Sequence, residues 1–121
     1  VEDAGRVGQA VQLTEEGDAS TLSPVTRRTA YRVVQEALTN ARRHAWSATV
    51  RVEVSYDPHR TRIVVHNDAP ASRSRPLTDG GGTGLAGLGE RIELIGGSLR
   101  AGPDGAGGFR LEAGLPTRVA R

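Results

Sequence analysis

Three side chains on one predicted helix have types and spacing that could do chemistry. Glu36, Asn40 and His44 recur at i, i+4 and i+8, which stacks a carboxylate, an amide and an imidazole into one ridge. At ~100° per residue, Ala30, Val34, Ala37, Ala41 and Ala45 form a narrow apolar stripe, and the ridge lies on its shoulder. Arg28, Arg32, Gln35, Thr39 and Arg42 take the far side. Such a trio beside a buried seam is an odd place for simple solvation. The plainer alternative is a polar edge in which Glu36 pairs with a nearby arginine. A second stretch, GGGTGLAGLG from Gly80 to Gly89, opens another predicted helix. Backbone N–H groups at a helix N-terminus, unshielded by side chains, bind phosphate. The plainer alternative for a lone glycine run is a flexible loop. Residues 82–87 match G-x-G-x-x-G, yet a dinucleotide fold is excluded, because that motif must follow a strand directly and here a loop bearing Pro, Ser and Arg precedes it. Only ~35 residues remain afterwards, too few for the rest of a dinucleotide half.

The elements that must position these residues are legible. Residues 7–15 alternate as a strand with Val7, Val11 and Leu13 on one side, and 16–22 are polar loop. Ser23-Pro24 is a helix start, Ser as N-cap and Pro in the first turn, and the helix runs to Ala45 or Trp46. Val50, Val52 and Val54 alternate with Arg51, Glu53 and Ser55; a turn at 57–60 and a strand over 61–66 complete an antiparallel hairpin. The following segment, 67–83, lacks periodicity and reads as a functional lid. From Gly84, Leu85, Leu88, Ile92 and Ile95 share a helix face, which Gly96-Gly97 close. Strands over 98–101 and 109–115 flank a turn at 103–107; Pro116 ends the domain and 117–121 read as a tail. This order predicts one α+β domain, a two-layer sandwich with both helices on one face of the sheet. A nucleotide could then sit between the ridge and the lid.

Composition narrows the chemistry further. All 16 basic residues are arginine, which removes lysine-dependent phosphate loops and Schiff bases. Cysteine is absent, so thiol nucleophiles, disulfides and thiolate-bound zinc are excluded. His44, His59 and His66 lack ligand spacing, which argues against a structural metal. With a net charge of +2, one Trp, two Tyr and one Phe, the chain offers no stacking platform for nucleic acid. No apolar run approaches the ~18 residues of a membrane span. The chain starts at Val1 and has no methionine, which marks it as a piece of something longer.

At this point a resemblance is plain. The run YRVVQEALTNARRHA, Tyr31 to Ala45, resembles the N box of the ATP-binding domain of bacterial sensor histidine kinases, and GTGLAGLGERI, Gly82 to Ile92, resembles their G2 box. Both are most similar to the subgroup paired with LuxR-type response regulators, and GGSL from Gly96 with the segment Gly107 to Pro116 matches its closing hairpin. The resemblance spans about residues 7–116 and implies the Bergerat (GHKL) fold shared with gyrase and MutL: a mixed sheet covered on one face by helices, with a long ATP lid at about 69–83.

The resemblance also implies roles. Asn40 matches the ligand of a Mg²⁺ ion that bridges the ATP phosphates, and Arg43 a basic position that reaches them, with His44 beside it. Glu36 matches the water-activating glutamate of the superfamily's ATPases and would orient or deprotonate an acceptor imidazole. Gly82, Thr83, Gly84, Leu85 and Gly87 match the segment that cradles phosphate. The family's adenine-reading Asp-x-Gly aligns with Asn67-Asp68-Ala69, so Asn67 stands where an aspartate is usual and Ala69 where a glycine is; Asp68 should point away by strand alternation. The implied cofactors are ATP and Mg²⁺. The implied partners are the protein's own histidine-bearing dimerisation domain, outside this chain, and a response regulator. The implied setting is a cytoplasmic domain of a homodimeric, membrane-bound sensor, without nucleic-acid or direct membrane contact. Two rivals share the superfamily: an anti-sigma-type serine kinase and a degenerate nucleotide-binding docking module.

Overall fold

The computed structural model describes residues 11–45, 49–68 and 81–119, with backbone alone at 42–45 and 81–84. Val11–Gly17 form β1, and a single 3₁₀ turn follows at Ala19–Thr21. Pro24–Ala45 form α1, Val50–Tyr56 β2, and Arg60–Asn67 β3. Gly81–Leu94 form α2, Ser98–Pro103 β4, and Phe109–Pro116 β5. The sheet order is β1-β2-β3-β5-β4, with β1 parallel to β2 and every other pair antiparallel. The sheet is therefore mixed, as expected.

Alternation puts Val50, Val52 and Val54, Ile63 and Val65, and Leu111, Ala113 and Leu115 on one face. They pack against Val33, Ala37, Leu38 and Ala41 of α1 and Leu88 and Ile92 of α2. The two helices also pack on each other. Ser23 caps α1 as predicted: its Oγ accepts from Thr26 N at 3.4 Å. Gly96, at φ +91°, ends α2, with Gly97 N donating to Ile92 O at 2.9 Å. Glycine tolerates that left-handed backbone; an L side chain strains there.

Several expectations are corrected. The first strand spans Val11–Gly17, not 7–15, and Val7 lies outside the described residues. Leu13 is 51% exposed, because β1 is an edge strand and does not lie under the helix layer as β2 and β3 do. It is held at its far end by Tyr56, whose hydroxyl donates to Glu15 at 2.7 Å; burial, then this bond, push the phenol up to about 12. The buried arc of α1 is Thr26, Thr29, Val33, Ala37 and Asn40, with Leu38 and Ala41, whereas Ala30 and Val34 are half-buried. A helix that packs on the sheet below and on α2 beside it buries a wider and rotated arc.

The second helix begins at Gly81, not Gly84, so the expected lid loses its last three residues. The first-turn N–H groups of a helix need no intrahelical partner, which makes that turn a tolerant place for glycine. Residues 69–80 lie outside the described residues. The expected tail at 117 is also wrong at its first residue, since Thr117 is fully buried. Its Oγ1 donates to Asp57 O and is 3.0 Å from Thr61 Oγ1, which must then be the donor of that pair. Its backbone bonds His59 O and Ser23 N, so the packed chain continues past Pro116.

Candidate functional site

Strand register decides where the candidate residues meet. Because β1 and β2 are parallel, α1 runs back along the sheet and its C-terminal turns arrive where β2 starts, at Val50. Val50 pairs with Asn67, the last residue of β3, and Asn67 pairs with Phe109, the first of β5. Ser98 pairs with Gly114 at the opposite end, so α2 must begin at the Asn67 end in order to deliver β4 there. Asn40, Asn67, the N-terminus of α2 and the Asp104–Gly108 turn thus gather at one end of the sandwich.

Asn40 sits inside the buried arc of α1, further in than the shoulder position expected, at 9% exposure. Its Oδ1 is buried and has no hydrogen-bond partner among the described residues. A buried acceptor left unpaired costs about 1–3 kcal/mol, so natural structures keep such atoms for a reason. Glu36, one turn earlier, is half-buried and makes no ion pair among the described residues, so the arginine-paired alternative has no described partner. It also borders a groove of about 550 Å³ between α1 and β2, lined by Leu13, Tyr31, Val34 and Tyr56. The backbone of Arg43 and His44 is helical; their side chains, and Ala69 entirely, lie outside the described residues. Gly82, Thr83 and Gly84 fall in the first turn of α2, described for backbone only. Leu85 is half-buried against the core, and Gly87 is exposed with open space where a Cβ would stand.

Asn67 is part of β3 and 6% exposed, on the face shared with Ile63 and Val65. Its Nδ2 donates to Asp68 O at 3.1 Å, and its Oδ1 accepts no hydrogen bond from the described residues. Asp68 points the other way, as alternation requires: its carboxylate pairs with Arg51 at 3.0 and 3.3 Å on the open sheet face. That pairing holds the Asp68 carboxyl below its ordinary range. The same open face holds residues missed at the level of sequence. Arg51 NH2 lies 2.8 Å from His66 Nδ1, and His66 Nε2 lies 2.8 Å from Asp104 Oδ2. Guanidinium can only donate, so Nδ1 accepts and Nε2 carries the proton given to Asp104. The His66 bond, then the Ala106 amide, hold the Asp104 carboxyl down to about 2. Once the turn at 57–60 is read, Arg51 opposite His66 could have been inferred from the hairpin alone. Asp104 could not.

Asn67→Asp is expected to have opposite effects on affinity and stability. A carboxylate brings a charge-assisted bond to an amino group, about 1 kcal/mol better than a neutral one, hence several-fold tighter ATP-analogue binding. It also replaces the donor that faces Asp68 O by an acceptor and buries a charge, so the ligand-free protein should melt lower. Titration calorimetry and thermal melts on both proteins check this; unchanged ATP affinity takes Asn67 out of the base-reading role.

Residues 26–119 match the histidine kinase-, DNA gyrase B- and HSP90-like ATPases, and the chain belongs to that family. Membership of an ATPase family implies nucleotide binding. Among curated proteins, sensor histidine kinase YxjM of Bacillus subtilis is 34% identical over 93 residues, 77% of this chain and 22% of that protein. The signal transduction histidine-protein kinase/phosphatase UhpB of Salmonella typhimurium is 33% identical over 101 residues, 84% of this chain and 19% of that protein. The chain thus spans about a fifth of the length of these relatives. Among solved structures, the nucleotide-free catalytic domain of histidine kinase ThkA superposes with a TM-score of 0.68 at 14% identity, over 98% of this chain and 86% of that one. The mycobacterial sensor histidine kinase MprB superposes at 0.63 and 22% identity, over 98% and 91%. These likenesses agree on the α+β sandwich expected from the sequence.

Proposed function

We propose that this chain is the ATP-binding catalytic domain of a two-component sensor histidine kinase, of the subgroup paired with LuxR-type regulators. The observation that carries the reading is the buried Oδ1 of Asn40, without a partner among the described residues, at the end of the sandwich where Asn67 and the N-terminus of α2 also arrive. The curated relatives, all sensor or signal-transduction histidine kinases, support it, and UhpB points toward the subgroup.

A side-chain amide oxygen is a ligand type that Mg²⁺ accepts, and that ion usually keeps waters and substrate phosphates for its remaining positions. Asn40 would be a contribution of this chain to such a shared shell. When bound, the ion neutralises charge that develops on the transferred phosphoryl group. The chain's residues do the positioning. Asn67 Oδ1 accepts from the adenine amino group. The opening turn of α2 at Gly82, Thr83 and Gly84, with Leu85 and Gly87 behind it, offers backbone N–H groups to phosphate. Arg43 and His44, on the last turn of α1, are the residues we assign to the same phosphate oxygens. Glu36 orients or accepts the proton of an acceptor imidazole supplied by the protein's own dimerisation domain, outside this chain, from which a response regulator is charged. We place the domain on the cytoplasmic side of a homodimeric sensor.

Calorimetric titration with a non-hydrolysable ATP analogue tests the reading. Binding that strengthens on adding Mg²⁺, with negligible turnover by the chain alone, is expected. Absence of heat and of competition at millimolar nucleotide overturns it.

A further inference from the structure

Hydrogen bonds on the open sheet face link Asp68, the residue after Asn67, to the β4–β5 turn, and Asn67 touches both ends of this chain of bonds. Asn67 Nδ2 donates to Asp68 O at 3.1 Å. Arg51 grips the Asp68 carboxylate with two nitrogens, at 3.0 and 3.3 Å. Arg51 NH2 also donates to His66 Nδ1, and His66 Nε2 donates to Asp104 Oδ2, both at 2.8 Å. The other oxygen of Asp104 accepts from Ala106 N at 2.8 Å and Gly108 N at 2.9 Å, which folds the β4–β5 turn. Gly108 packs against the far side of Asn67: a Cβ there would stand 2.2 Å from Asn67 O, so the turn bears directly on the Asn67 peptide without a hydrogen bond to its side chain. His66 and Asp104 side chains are only 25% and 18% exposed, which shields their bond from water.

We propose that Arg51, His66 and Asp104 are positioning residues that hold the Asn67 carboxamide in one orientation, Nδ2 turned to Asp68 and Oδ1 left to the helix layer. A carboxylate presents an acceptor whichever way it rotates. An amide presents an acceptor in one orientation and a donor in the other. A chain that reads an adenine amino group through asparagine therefore needs the rotation fixed, and these bonds fix it from the two residues flanking Asn67 and from the turn pressed on its carbonyl. None of the three positioning residues shares the helix-side face with Asn67, so their effect on a ligand passes through it. The ligand-side consequence rests on the nucleotide reading above; the orientation of the amide does not.

The chain has two asparagines, so ¹⁵N-asparagine labelling yields two side-chain NH₂ pairs, and Asn67→Asp identifies which belongs to Asn67. In the full chain, the Asn67 pair should exchange slowly with solvent. His66→Leu breaks both links at His66. Asp104→Asn keeps an oxygen for the Ala106 and Gly108 amides but removes the charge that His66 serves. Both variants should speed exchange of the Asn67 pair. Both should also weaken adenosine by about three- to tenfold, the loss of one oriented hydrogen bond, with pyrophosphate affinity unchanged. A merely structural role would lower both affinities together, and that result overturns the proposal, as does an Asn67 pair unmoved in both variants. Wild-type protein that binds neither adenosine nor an ATP analogue refutes the nucleotide reading instead, and the exchange rates still decide the orientation.

Discussion

Replacing Asn40 by alanine should weaken the Mg²⁺-dependent part of ATP-analogue binding at least tenfold and leave the melting temperature unchanged or slightly higher. The pairing of these outcomes is unusual, because removing a buried polar side chain normally orphans its partner and destabilises the fold. Asn40 is 9% exposed, yet its Oδ1 has no partner among the described residues, so alanine orphans none of them. Alanine is also a better helix former by up to about 0.7 kcal/mol. On the ligand side, an interaction with a charged group contributes about 1.5–3 kcal/mol, and each 1.4 kcal/mol is a factor of ten. Calorimetry with and without Mg²⁺, beside a thermal melt, reads both arms. A variant that unfolds shows Asn40 to be a packing residue; one that binds the Mg²⁺ complex like the parent removes it from the ion site.

Ile92→Ala should lower stability by about 2–5 kcal/mol, the usual range for truncating a buried isoleucine. Ile92 is fully buried on the inner face of α2 and belongs to the core shared with α1 and the sheet. Domains are held by about 5–15 kcal/mol in total, so the loss is a large fraction of what exists. Urea unfolding should show a lower midpoint at unchanged slope. Because the N-terminus of the same helix lies at the candidate site, saturating ATP analogue should restore part of the midpoint by mass action. Leu94, two residues on, is 86% exposed, and its truncation should stay within about 0.5 kcal/mol of wild type. Equal midpoints for the two variants would contradict the described packing of α2.

Much of this fold is local chemistry and was open to reading. Val50, Val52 and Val54 alternate because one face of β2 is buried, and that needs only period-two patterning. Ser23-Pro24 and Gly96-Gly97 mark helix ends through capping and φ preferences that act within a few residues. Errors fell where a neighbour intervened. A stripe suited to one packing partner is too narrow for α1, which packs on both the sheet and α2. Thr117 looked like tail because what buries it, at Asp57, His59 and Thr61, lies about 60 residues away along the chain.

The candidate site divides the same way. Residue types and spacing alone determined that a ridge of Glu36, Asn40 and His44 precedes a glycine-opened helix, and those two runs carry the resemblance to the ATPase family to which the chain belongs. Tertiary structure alone decided that Asn40 is buried with an oxygen that has no partner among the described residues, since a helix position is buried only once neighbouring elements pack on it. It alone decided which way the Asn67 amide is turned, since its Nδ2 takes its direction from Asp68 O. And it alone brought Asp104 to His66, because β5 lies beside β3 and carries with it a turn 38 residues distant in sequence. Periodicity and capping act over one or two turns and can be read along the chain; a bond between residues on different strands exists only once sheet order and register are set.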